Sequence, residues 1–213
     1  MRRVKSTVLI GLALAGFSAA GAAQQVSTTY GGGLGAGWSL TEGDFGQRFR
    51  NGYDFSGELL ILAPGAPAAI RFDGMYDRFT ASPGLVNEFP TAKSGSAAIY
   101  AGLFDIIAGT PMGTGIHPYG LFGLGGYVRR VSVTRTPGVP ATFNDPFAGF
   151  SNFVVPANAT DVAASEVKFG TSYGGGIAIG TPAVSFFAEI RYHIIFTNVD
   201  HTDLLPITLG IRF

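Results

Sequence analysis

The chain has 213 residues, 46% of them hydrophobic and 13% charged, with 14 basic and 14 acidic side chains, 32 glycines and no cysteine. A chain this apolar is not disordered, and one this poor in charge is unusual among soluble proteins. The balanced charge argues against nucleic acid as a partner, and the lack of cysteine excludes disulfides, thiol chemistry and thiolate metal sites.

The N-terminus reads as an export signal over 1–23. Arg2, Arg3 and Lys5 form a basic start, Val8 to Phe17 an apolar stretch, and Ala20-Gly21-Ala22 or Gly21-Ala22-Ala23 a small-residue cleavage site. Cleavage would leave one domain, 24–213, with a formal charge of −3. No later apolar run is long enough for a helix to span a bilayer, so the apolar residues must be spread over short alternating segments.

Those segments follow in order. A first strand over 28–40 places Tyr30, Leu34, Trp38 and Leu40 on one face and Gly31, Gly33, Gly35 and Gly37 on the other. After a polar loop over 41–51, a strand over 52–62 alternates Tyr53, Phe55, Leu59 and Ile61 with Asp54, Ser56 and Glu58. The turn at 63–67 leads to a strand over 68–78, with Ile70, Phe72 and Tyr76 opposite Arg71, Asp73 and Asp77. A loop over 79–94 precedes a fourth strand over 95–108, where Tyr100, Phe104 and Ile106 oppose Ile99, Leu103 and Asp105 and the facing stays open. A turn over 109–116 opens a fifth strand over 117–131, again of open facing. A long excursion, 132–165, carries Phe143, Phe147, Phe150 and Phe153. Strands over 166–179 and 183–196 are joined by the tight turn Gly180-Thr181-Pro182, and a loop over 197–203 leads to the last strand, 204–213. Loops alternate long and short, independently of the residue alternation.

In the last strand Ile207, Leu209, Ile211 and Phe213 share an apolar face, and Thr208, Gly210 and Arg212 share the other. This run resembles the C-terminal signal by which bacterial outer-membrane barrels are recognised for insertion. With Glu189-Ile190-Arg191-Tyr192 and the glycine-rich strand from Pro118-Tyr119-Gly120, the mature chain resembles the eight-stranded outer-membrane barrel family, the group of outer-membrane protein A-like and X-like barrels. The resemblance implies an all-β, transmembrane, antiparallel up-and-down barrel of about eight strands. Short turns would lie in the periplasm and longer loops outside the cell, in the outer membrane. A soluble lipocalin-like barrel would have to pack the aromatic face inside about eight strands, where it does not fit.

Candidate functional residues fall into three groups. Glu58, Arg71, Asp73, Asp77, Glu189, Arg191 and Arg212 point to the lumen, either as a compensated network filling it or as an ion path. Arg129, Arg130, Arg135 and Lys168 lie at the level of lipopolysaccharide, where arginine pairs well with phosphate. Tyr30, Trp38, Tyr53, Tyr76, Tyr100, Tyr119, Tyr127, Tyr173 and Tyr192 are read as interface girdles. His193 and His201 lack a serine beside them in sequence, which argues against a hydrolytic pair, and Asp200, His201 and Asp203 read as a solvated turn rather than a metal site. No catalytic residue, cofactor or metal is expected. The expected partners are outer-membrane lipid, lipopolysaccharide and the barrel-assembly machinery during insertion, with the barrel monomeric. The function expected is a non-enzymatic envelope or surface role through the loops. A narrow porin and a lipid A-modifying enzyme are the alternatives.

Overall fold

The computed structural model describes residues 28–63, 65–88, 92–136, 141–144, 152–155, 161–197 and 201–213; the expected export signal lies outside them. In chain order the elements are β1 (Thr29–Glu42), α1 (Gly43–Arg48), β2 (Phe49–Leu62), β3 (Ala68–Ala81), α2 (Pro83–Glu88), β4 (Ala92–Ala108), β5 (Gly115–Arg135), β6 (Ala141–Asn144), β7 (Asn152–Val155), β8 (Asp161–Gly180), β9 (Ser185–Phe196) and β10 (His201–Arg212). Eight of the strands close into one antiparallel barrel, in the order β1-β2-β3-β4-β5-β8-β9-β10, while β6 and β7 pair as a separate hairpin in the longest loop. Among the described residues no helix is long and apolar enough to cross a membrane.

Side-chain alternation sorts the residues as an inside-out core. Leu34, Trp38, Phe55, Leu59, Phe72, Phe104, Phe122, Phe169, Phe186, Ile190 and Leu209 face outward and are exposed. Asp54, Glu58, Arg71, Asp73, Asp105, Glu189, Arg191 and Arg212 face inward and are buried. Exposed large hydrophobics around a polar lumen suit lipid outside.

The seam is closed by β1 against β10, with Gly33 opposite Arg212 and Trp38 opposite Ile207. Phe213 N–H donates to Gly32 O at 2.8 Å and Gly32 N–H donates back at 2.7 Å, so the ladder runs to the last residue. The inward glycines of β1 are required by space: a Cβ on Gly33 would lie 2.5 Å from Glu58 Oε1, and one on Gly35 would lie 2.7 Å from both Ser56 Oγ and Thr208 Cγ2. Side chains of β2 and β10 therefore meet across β1. Thr208 donates to Asp54 at 2.8 Å and Arg212 pairs with Glu58.

The two ends differ. At one end the β2–β3 and β8–β9 connections are tight; the first turns through Gly65 in the left-handed region, and in the second Thr181 N–H donates to Val184 O at 2.8 Å. The other end carries α1, α2 and the β6–β7 hairpin. Several strands run further towards this end than the residue pattern suggests: β2 begins at Phe49 rather than 52, β5 continues to Arg135, and β8 starts at Asp161 instead of 166. Two segments expected as loops contain the short helices α1 and α2. The reason is packing: Phe45 of α1, Leu85 of α2, and Phe49, Val131 and Val133 at the strand ends all turn into one apolar cluster over the barrel mouth. Phe143 and Phe153 are paired in register between β6 and β7, whereas Phe147 and Phe150 lie outside the described residues.

Candidate functional site

The lumen is built in three layers. At the long-loop end, Phe45, Phe49, Phe79, Leu85, Val133, Ile195 and Leu204 pack together. At the short-turn end, Leu60, Ala69, Ile107, Leu121, Ala178 and Phe187 form a second apolar cluster. Between them lies a network of fully or almost fully buried charges.

Arg71 is the hub. Its Nε donates to Asp105 at 2.8 Å, and its Nη1 donates to both Glu58 and Glu189 at 2.9 Å, with Asp73 at 3.7 Å. Arg191 bridges Asp73 at 2.6 Å and Glu189 at 2.5 Å. Arg212 pairs with Glu58, donates to Tyr119 Oη at 3.0 Å, and lies 4.1 Å from the centre of the Phe187 ring. Tyr119 in turn donates to Glu189 at 2.8 Å. Such mutual pairing is what makes buried charge tolerable.

The structure thus brings together Glu58, Arg71, Asp73, Glu189, Arg191 and Arg212 of the expected lumen group. Asp77 lies in a neighbouring patch, accepting from Ser39. Asp105, absent from that group, is a full member. Strand pairing places it directly opposite Arg71.

Two girdle assignments are corrected. Tyr119 and Tyr127 fall on the inward parity of β5 and are buried in the lumen, where Tyr127 Oη lies 2.9 Å from His193 Nδ1. The remaining girdle members are exposed or half-buried on the outer face, with Tyr76 beside Tyr100 and Tyr173 beside Tyr192 as cross-strand ring pairs.

A serine does stand beside His193. Ser172 of β8 is its direct partner across the strand pair, and Asp105 lies on the same row beyond Gly123. Sequence spacing hides this because the neighbours belong to different strands. All three side chains are completely buried, and it is Tyr127 that holds His193 Nδ1. His201 lies 3.2 Å from Asp203, Asp200 is outside the described residues, and among those described no group of three or more His, Asp or Glu could hold a metal ion.

The expected basic group is split between the two faces. Arg129 points inward, donating to Thr202 at 2.9 Å and Glu166 at 3.2 Å; Arg135 is also inward and buried; Lys168 pairs with Glu166. Arg130 alone of the four is exposed on the outer face. The alternation of β5 separates neighbours in sequence onto opposite faces.

This geometry matches solved barrels. The crystal structure of Neisserial surface protein A superposes with a TM-score of 0.51 over 87% of this chain and 97% of that one, at 16% identity. A major outer membrane protein from Thermus thermophilus superposes with a TM-score of 0.53 over 88% of this chain and 98% of that one, at 14% identity. The chain has the fold of the eight-stranded outer-membrane β-barrels. No family model matches the chain, and no curated protein matches it in sequence. In this outer-membrane barrel fold, the outward aromatic and aliphatic surface is the part that meets lipid and the layered lumen is the part that a solute would have to cross.

Proposed function

We propose that the protein is an exported outer-membrane barrel that conducts no solute, catalyses no reaction, and serves the envelope or the cell surface through its long-loop end. The observation that carries this reading is the layered lumen. A solute would have to displace an apolar plug at each end and break the Arg71 network between them. An eight-stranded lumen is about filled by its own side chains. The non-enzymatic part rests on the sealing of Ser172 and His193 away from any lipid or aqueous substrate. The C-terminal face of Ile207, Leu209, Ile211 and Phe213, with Ile207, Leu209 and Phe213 clearly exposed outward, supports its use as an insertion signal.

The test is single-channel recording in planar bilayers on refolded protein whose gel mobility shifts on heating. Silent bilayers are expected. Discrete conductance steps from correctly folded material would overturn the closed-lumen reading in favour of a narrow porin, with Arg71, Asp73 and Arg191 as selectivity residues.

A further inference from the structure

The outer face of β3, β4 and β5 is layered across the membrane in the order an amphiphile needs. Strand register puts Arg78 of β3, Ala98 of β4 and Arg130 of β5 on one row. Ala98 faces outward between the two arginines and, being small, leaves the space between them free of a competing side chain. Two guanidiniums two strands apart stand about 10 Å from each other at the backbone, within reach of one shared anion. The next row towards the loops is Thr80, Ser96 and Ser132, a line of hydroxyls, with Arg50 beside Thr80. The next outward-facing row towards the membrane centre holds Tyr76 and Tyr100, and the Tyr76 hydroxyl interacts with Arg78. No carboxylate faces outward on these three strands, since Asp73, Asp77 and Asp105 all point into the lumen.

Below the tyrosines the surface sinks. Gly57, Gly74, Gly102 and Gly126 pair in register across β2 to β5. They floor a groove walled on one side by Phe55, Tyr100 and Val128 and on the other by Leu59, Phe72 and Phe104. A cavity of about 860 Å³ lies over Gly57, Gly74 and Gly102 against the Leu59, Phe72 and Phe104 wall and reaches Leu34 and Phe213. The fold itself does not call for glycine here. None of the four has a left-handed backbone, a Cβ on Gly102 or Gly126 would meet nothing within 4 Å, and those on Gly57 and Gly74 would make only ordinary contacts. Glycine weakens a strand interior, so four in one row at positions open to larger residues point to an occupant outside the chain.

We propose that this face binds a phosphate-bearing lipid of the leaflet at the long-loop end, with its phosphate held between Arg78 and Arg130 and one acyl chain laid in the groove over Gly57, Gly74, Gly102 and Gly126. The inference rests on the membrane placement given above. Charge complementarity selects the headgroup: arginine forks bind phosphate in bidentate fashion, and the hydroxyls of Thr80, Ser96 and Ser132 can donate to its remaining oxygens. The predominantly apolar groove selects a hydrocarbon chain, at a volume within the range of ~300–1,000 Å³ usual for ligand clefts.

The test uses the full refolded protein in phosphatidylcholine nanodiscs, titrated with bisphosphorylated lipid A and read by native mass spectrometry. Saturable binding is expected, weakened about tenfold for each arginine replaced in R78Q and R130Q, since charged hydrogen bonds carry roughly that much. Filling the groove in the G74L/G102L variant, which the open space above those glycines allows to fold, should also weaken binding. Equal binding of wild type, R78Q/R130Q and G74L/G102L, all checked for heat-shifted gel mobility, would overturn the site while leaving the membrane reading intact. So would equal binding of a lipid A stripped of both phosphates, or full competition by inorganic phosphate alone. Protein that stays soluble and fails to enter the nanodisc would overturn the membrane reading and the site with it.

Discussion

Replacing Arg71 by methionine removes the hub of the lumen while keeping most of its bulk. The damage is unequal among its partners. Glu58 keeps Arg212, and Glu189 and Asp73 keep Arg191 at 2.5 and 2.6 Å. Asp105 keeps only Arg191, at 3.7 Å, and is completely buried. Removing one partner of a buried ion pair costs about 3–5 kcal/mol, because the remaining charge has no solvent to turn to. Arg71→Met should therefore lose roughly 3–5 kcal/mol, at least a hundredfold in the ratio of folded to unfolded barrel. The assay is urea unfolding in detergent, followed by the fraction of protein that keeps its heat-sensitive gel mobility. The double variant Arg71→Met with Asp105→Leu should recover part of the loss, since apolar replacement of both partners is often neutral. If Arg71→Met unfolds within about 1 kcal/mol of the wild type, the surface-pair range, then the network contributes no more than exposed charges would and the reasoning fails.

Further outcomes are expected. Trp38 is the chain's single tryptophan and is exposed on the outer face in the row of Tyr53 and Arg78, so its fluorescence in bilayers should be quenched by brominated lipid, more strongly with bromine near the headgroup than near the acyl terminus; no quenching by any brominated lipid would turn the barrel inside out. Gly33→Val should prevent refolding, because the new Cβ would lie 2.5 Å from Glu58 Oε1, whereas Gly102→Val on the lipid side should refold as well as the wild type. Equal refolding yields for the two valine variants would contradict the steric account of the inward glycines.

Much of this barrel is legible in the residue alternation, because lipid and lumen impose opposite demands every second residue. Phe72 against Arg71, or Ile190 against Glu189 and Arg191, leaves no doubt about facing. What alternation does not carry is register. Asp105 sits among Leu103, Phe104 and Ile106, and only its pairing opposite Arg71 makes it part of the network. Ser172 and His193 are neighbours for the same reason. Residue type alone points Tyr119 and Tyr127 to the girdle, yet their odd parity on β5 sends them inward, where hydroxyls find Glu189, Arg212 and His193. The strand ends look short in sequence because Ser132 and Thr134 resemble loop residues, although Val131 and Val133 beside them belong to the apolar cluster over the mouth.

The bare inward face of β1 has a consequence for assembly. Arg212 can reach Glu58, and Thr208 can reach Asp54, only by passing over glycine backbone, and only when β1 stands in register with both its neighbours. A slip of one residue between β1 and β10 would turn Arg212 to lipid and leave Glu58 short of a partner. The seam thus proofreads its own closure. A misaligned barrel loses one of the two arginines that compensate Glu58, keeping only Arg71, as well as ladder hydrogen bonds, which gives the correctly zipped form its margin over near misses.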